Sequence, residues 1–99
     1  MSFSDPPGAP TINGWPPKSI VNVGATLTLT CVAATQGGAV VSFEWYFGTN
    51  KLTSTGTKFE KYEITKVDKS HGGTYKCVAI NADGRAESTT NTLIVKGNK

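Results

Sequence analysis

The chain has 99 residues, two cysteines, one histidine and a formal charge of +3. That length suits one domain around a single core, and no run of about 20 apolar residues is available to cross a bilayer as a helix. Fourteen threonines and eleven glycines, with few strong helix formers, exclude an all-helical protein and favour an all-β one.

The opening Met1-Ser2-Phe3-Ser4-Asp5 lacks the basic head and apolar stretch of a secretion signal. The chain is therefore expected to be a module cut from a longer protein, with Met1 foreign to that parent. Pro6, Pro7 and Gly8 make residues 1–9 read as a stiff Pro-rich linker. A single domain is expected over residues 10–96, followed by a mobile tail, 97–99.

A first strand starts near Pro10 with Ile12 turned inward. Asn13-Gly14-Trp15-Pro16-Pro17 breaks it, because proline lacks the ladder donor and glycine tolerates the turn. The strand resumes from Ser19 to Val23, where it would pair with the other sheet. From Thr26 to Ala33 the pattern alternates, with Leu27, Leu29 and Cys31 on one face and Thr26, Thr28 and Thr30 on the other. After a loop over Thr35-Gln36-Gly37-Gly38, Val41, Phe43, Trp45 and Phe47 share the inward face of a central strand, leaving Ser42, Glu44 and Tyr46 outward.

Gly48-Thr49-Asn50-Lys51 is a turn, and a short strand segment is expected near Leu52 to Thr55. The next strand runs from Lys58 to Thr65 with Tyr62 and Ile64 inward, and Val67 plugs the core below it. After His71-Gly72-Gly73, Tyr75, Cys77 and Ala79 alternate against Thr74, Lys76 and Val78; Asp83-Gly84 is a strong hairpin-turn signal. The last strand, Arg85 to Lys96, contains a phase conflict. Ala86 and Ser88 would face inward on even positions, yet Leu93 and Val95 are odd, so one extra residue between Thr89 and Thr92, a β-bulge, is required.

Cys31, Trp45, Tyr75 and Cys77, in that order and spacing, resemble the immunoglobulin domain. The stretch from Gly73 to Gly84 is similar to the F strand and F–G turn of the intermediate, or I-set, subclass. Only 29 residues separate Trp45 from Tyr75, little room for the two additional strands of a variable-type domain. The resemblance implies a sandwich of two antiparallel sheets pinned by a Cys31–Cys77 disulfide, with Trp45 packed on the bridge and the Tyr75 hydroxyl bonded to upstream backbone. The family usually carries an aspartate where this chain has His71, so its salt bridge is not carried over; Asp68 is a candidate substitute.

Enzymatic chemistry finds no footing. His71 has no second histidine for a zinc site, and no phosphate-cradling, calcium-binding or hydrolase motif occurs. No catalytic residue, metal or cofactor is expected. Lys51, Lys58, Lys61, Lys66 and Lys69 alternate with Glu60, Glu63 and Asp68, the look of a solvated surface, although Lys58, Lys61 and Lys66 are candidates for an anionic glycan such as heparan sulfate. Nucleic acid is not an expected partner, because no aromatic residues interleave with the basic ones.

Protein contact is the better candidate. Tyr46, Val78 and Ile80 would form an apolar centre on the outward face of one sheet, with Glu44, Lys76 and Glu87 as a charged rim. Trp15, at the strand break, is a further contact candidate or a lid on the core. The resemblance implies a non-catalytic recognition or spacer module in the ectodomain of a cell-adhesion or cell-surface receptor protein, meeting homophilic or heterophilic protein partners and neighbouring domains of its own chain. The alternative is a structural I-set domain of an intracellular muscle or cytoskeletal filament protein. The paired cysteines favour the oxidising compartment.

Overall fold

The computed structural model describes residues 5–97. β1 (Thr11–Asn13), β3 (Leu27–Val32) and β6 (Lys61–Ile64) form a three-stranded antiparallel sheet in the order β1-β3-β6. The opposing sheet contains β2 (Ile20–Asn22), β4 (Ser42–Phe47), β5 (Asn50–Leu52), β7 (Gly73–Asn81), β8 (Gly84–Glu87) and β9 (Asn91–Lys96). Its order is β2-β9-β7-β4-β5, and β8 also pairs with β7. Short 3-10 turns at Pro17–Ser19 and Lys69–His71 are the only helical pieces among the described residues.

Alternation builds the core between the sheets. Leu27, Leu29 and Cys31 of β3 meet Phe43 and Trp45 of β4, Tyr75, Cys77 and Ala79 of β7, and Leu93 and Val95 of β9. Ile64 and Val67 close it from the side of β6. Cys31 and Cys77 are disulfide-bonded, with their Cα atoms 6.2 Å apart. Trp45 pairs with Cys77 across the sheet and is fully buried; its indole N–H donates to the Glu60 carbonyl at 3.0 Å.

The first strand is split as expected. Gly14 turns the chain at a φ of 90°, Pro16 and Pro17 follow, and β2 then joins the other sheet parallel to β9. The phase conflict in the last strand is resolved by a bulge. Val78 pairs with Glu87 and Tyr75 with Asn91, so Lys76 and Cys77 face three residues, Ser88, Thr89 and Thr90. Leu93 and Val95 thereby reach the core while Ser88 stays buried.

Four expectations need correction. Val41 is 65% exposed and Val40 takes the core position. The Val41 N–H bonds to the Ile80 carbonyl, although Ile80 is the partner of Ser42, so Val41 stands out of register at the strand entrance. Leu52 to Thr55 is not the short strand; β5 covers Asn50–Leu52, formed by a tight turn at Gly48 and Thr49. The F–G turn is Ala82 and Asp83, with Gly84 already paired to Asn81; the Asn81 side chain accepts the N–H groups of both Asp83 and Gly84.

The linker is the fourth. Residues 5–9 lie against one end of the sandwich, where Pro7 is buried and forms an isolated bridge to Gly37. Gly38 donates its N–H to the Pro6 carbonyl at 2.9 Å, and the Asn81 amide donates to the Asp5 carbonyl at 3.0 Å. A Cβ on Gly38 would overlap the Asp5 carbonyl oxygen, so glycine is what permits this approach. Residues 1–4, the start of the expected linker, and Asn98 and Lys99 of the expected tail lie outside the described residues.

Candidate functional site

Strand alternation puts Glu44 and Tyr46 of β4, Lys76, Val78 and Ile80 of β7, and Arg85 and Glu87 of β8 on the outer face of the larger sheet. Lys51 arrives on the same face because the tight turn pairs it with Tyr46. Glu44 is the hub. Its Oε1 accepts the Tyr46 hydroxyl at 2.8 Å and Arg85 Nη2 at 3.0 Å, while Lys51 Nζ lies 3.1 Å from Oε2. Burial alone would raise the Glu44 carboxyl, but the Tyr46 and Lys51 bonds and the Arg85 charge outweigh it and hold it below the usual carboxylate range. Lys76 pairs with Glu87 at 3.0 Å and stands over the Tyr46 ring, 5.6 Å from its centroid.

This face differs from the expected apolar centre. Val78 faces outward, paired with Glu44 on one side and Glu87 on the other, but has no exposed surface. It is therefore removed from the contact candidates. Tyr46 and Ile80 are half-buried and remain at the surface, within a polar relief rather than a hydrophobic one.

Trp15 is a lid. It packs against the core with its ring edge-on to Tyr75 at 6.0 Å, and its indole N–H is taken by Ser19 Oγ at 2.8 Å. As a contact residue it offers only its half-exposed rim. Tyr75 is buried beneath it and donates its hydroxyl to the His71 carbonyl at 2.7 Å, the corner bond that the sequence resemblance implied. Burial, with Tyr62 nearby, pushes the Tyr75 hydroxyl up to about 12.

His71 serves the turn before that corner. Its Nδ1 accepts the Asp68 N–H at 2.9 Å, while the Asp68 carboxylate caps the Ser70 N–H at 2.8 Å, a reciprocal capping box. The Ser70 hydroxyl, which also donates to the Asp68 carboxylate, and the Ser70 N–H hold that carboxyl below its ordinary value. Asp68 thus does its work within its own turn. Among the described residues no group of three or more His, Cys, Asp or Glu is placed to hold a metal.

Lys58, Lys61 and Lys66 are exposed, and Lys58 and Lys61 both act on the Glu60 carboxylate whereas Lys66 lies apart from them. Lys61 opens β6, Lys58 precedes it beyond the bend at Phe59, and Lys66 lies past the far end of the strand. Strand rise alone separates Lys61 from Lys66 by about 16 Å. β6 is the last strand of its sheet, and its edge at Lys61 is already paired with Thr55 through two backbone bonds of 2.8 Å.

The immunoglobulin-domain family profile matches residues 9–81. The chain belongs to that family. This immunoglobulin domain is 34% identical over 70 residues to chicken protein sidekick-2, covering 70% of the chain and 3% of the relative. It is 29% identical over 96 residues to human receptor-type tyrosine-protein phosphatase F, covering 92% of the chain and 5% of the relative. Among solved structures, the Dscam1 Ig7 domain, isoform 5, superposes with a TM-score of 0.71 at 20% identity, over 95% of this chain and 100% of that one. The domain thus spans about 3 to 5% of the length of the curated relatives it matches.

Sequence reading missed the parts of the site that cross strands. Lys51 and Arg85 were not assigned to the Glu44 face. A two-residue turn placed at Gly48 and Thr49 would have set Lys51 opposite Tyr46, and the same step at Ala82 and Asp83 would have set Arg85 opposite Ile80.

Proposed function

We propose that this immunoglobulin domain is a non-catalytic protein-recognition or spacer module of the I-set type, carried in the ectodomain of a multidomain cell-adhesion or cell-surface receptor protein. The observation that carries the recognition role is the Glu44 hub. Three side chains from β4, β5 and β8 fix one carboxylate, and a second pair, Lys76 with Glu87, lies beside it. A prearranged relief of this kind offers a protein partner complementary charge with little ordering cost. The split of β1 and β2 between sheets and the short β5 support the I-set reading. The Cys31–Cys77 bond favours an oxidising, extracellular setting over a filament protein of the cytoplasm. The names of the matched relatives, sidekick-2 and a receptor-type phosphatase, support the same setting.

The test is multivalent display of the domain on beads or cells. Aggregation, or capture of cells bearing a partner, is expected from the natural sequence and is expected to fall at least about tenfold with Arg85→Glu and Lys76→Glu. Binding that survives both reversals in folded protein overturns the sheet-face assignment; absence of any binding leaves the spacer role as the reading.

A further inference from the structure

β8 is covered on one side only. It pairs with β7 alone, whereas β2 flanks β9 from Ile94 to Lys96 and stops short of the bulge. The ladder fixes which way its backbone groups point. Ser88 gives its N–H to the Cys77 carbonyl, and the Ile80 carbonyl is taken from the opposite side by Val41, so Gly84 and Ala86 turn their groups toward β7 while Arg85 and Glu87 turn theirs away. Among the described residues no other backbone group meets the N–H or the carbonyl of Arg85 or Glu87. This open edge is bounded by the turn at Ala82 and Asp83 and by the bulge that begins at Ser88.

Its side chains carry opposite charges two positions apart. Arg85 and Glu87 stand on the outer face with 53% and 57% of their side chains exposed, each held from behind by a residue of its own sheet, Glu44 and Lys76. Charges on an edge usually keep another chain from pairing there. Here they favour one pairing, because an antiparallel strand of the same sequence, set with Ala86 opposite Ala86, brings each Arg85 opposite a Glu87. The adjacent registers that keep outward groups facing would set Arg85 against Arg85, or Glu87 against Glu87. In the favoured register Arg85 and Glu87 take the hydrogen-bonded positions, and the small Ala86 takes the closer, non-bonded one.

From this edge we propose that the domain pairs with a second copy of itself, β8 to β8, about a two-fold axis at Ala86. Arg85 and Glu87 exchange N–H and carbonyl bonds with Glu87 and Arg85 of the second copy, which joins the two larger sheets into one. Across the seam the outer charges alternate as Glu44, Arg85, the second copy's Glu87 and the second copy's Lys76. The two-fold closes the pair, since each β8 has a single open edge. In the recognition reading above, on which this rests, the partner is thereby a second copy of the domain.

Sedimentation and amide exchange of the whole chain over a range of concentrations provide the test. Self-association is expected, with exchange at the Arg85 and Glu87 amides slowing as the concentration rises to millimolar, while the Ala86 amide, bonded within its own sheet, is protected throughout. Arg85→Glu and Glu87→Arg are each expected to raise the dissociation constant about tenfold or more, because each sets like charges opposite one another twice. An equimolar mixture of the two variants is expected to pair again, since both contacts of the mixed dimer join opposite charges. Exchange at Arg85 and Glu87 indifferent to concentration, or a mixture that associates no better than either variant alone, overturns the inference. A chain that stays monomeric yet captures a partner in multivalent display overturns the second copy and leaves the sheet-face reading standing.

Discussion

The buried hydroxyl of Ser88 accepts the Cys77 N–H at 3.0 Å, and the Ser88 N–H returns a bond to the Cys77 carbonyl at 2.8 Å. The bulge denies Cys77 a regular ladder acceptor, and a side chain replaces it beside the disulfide. Ser88→Ala leaves a buried donor unpaired and is expected to lower the unfolding free energy by about 1–3 kcal/mol. Urea denaturation measures this; a midpoint equal to that of the natural sequence would contradict it.

Tyr75→Phe deletes the bond to the His71 carbonyl and keeps the ring among Trp15, Phe47 and Tyr62. A loss of about 0.5–1.5 kcal/mol is expected at neutral pH. The pH dependence has a definite sign. An unfolded tyrosine ionises near pH 10, about where its model value lies, whereas Tyr75 in the fold is pushed to about 12. Its contribution is therefore full below about pH 10 and is lost as pH rises through about 12. The Phe variant should lose stability less steeply over that interval, as read by melts at successive pH values.

Reducing the Cys31–Cys77 bond frees a loop that spans 46 positions. A loss of about 2–4 kcal/mol is expected, a large part of the roughly 5–15 kcal/mol typical of a domain. Denaturation with and without reductant should differ by this amount, and the Cys31→Ala, Cys77→Ala double variant should match the reduced protein within error; disagreement between those two would point to reduced thiols that clash in the core.

Gly38→Ala is expected to release residues 5–9 without unfolding the sandwich, because its Cβ occupies the place of the Asp5 carbonyl while the core residues lie elsewhere. Hydrogen exchange should accelerate at the Gly38 amide, now bonded to Pro6, while Trp45 and Cys77 amides keep their protection. Exchange unchanged at Gly38 would show that the segment is held by other contacts.

Periodicity made most of the scaffold readable. Leu27, Leu29 and Cys31, or Tyr75, Cys77 and Ala79, announce their inward face because a strand offers only two sides. The conflict between Ser88 and Leu93 even disclosed the bulge, since one inserted residue is the smallest change that satisfies both. The failures share a different cause. Val41 fits the inward parity, yet the chain enters β4 out of register, and parity says nothing about where a strand begins. Val78 fits the outward parity, yet it is fully buried, and parity says nothing about the neighbours that strand pairing brings beside it, here Glu44 and Glu87. β5 leaves β4 after the Trp45–Leu52 pair, a departure that no local pattern encodes.

β2 lies near the start of the fold and β9 at its end, and they run parallel, with Ile20, Val21 and Asn22 matched to Ile94, Val95 and Lys96. Tension applied through the two chain ends would thus load these bonds along the strand axis, all together in shear, and could not peel them one by one. Once they yield, the Cys31–Cys77 bond still prevents the segment it encloses from extending. In a tethered protein this domain would resist pulling abruptly and then lengthen by only part of its contour.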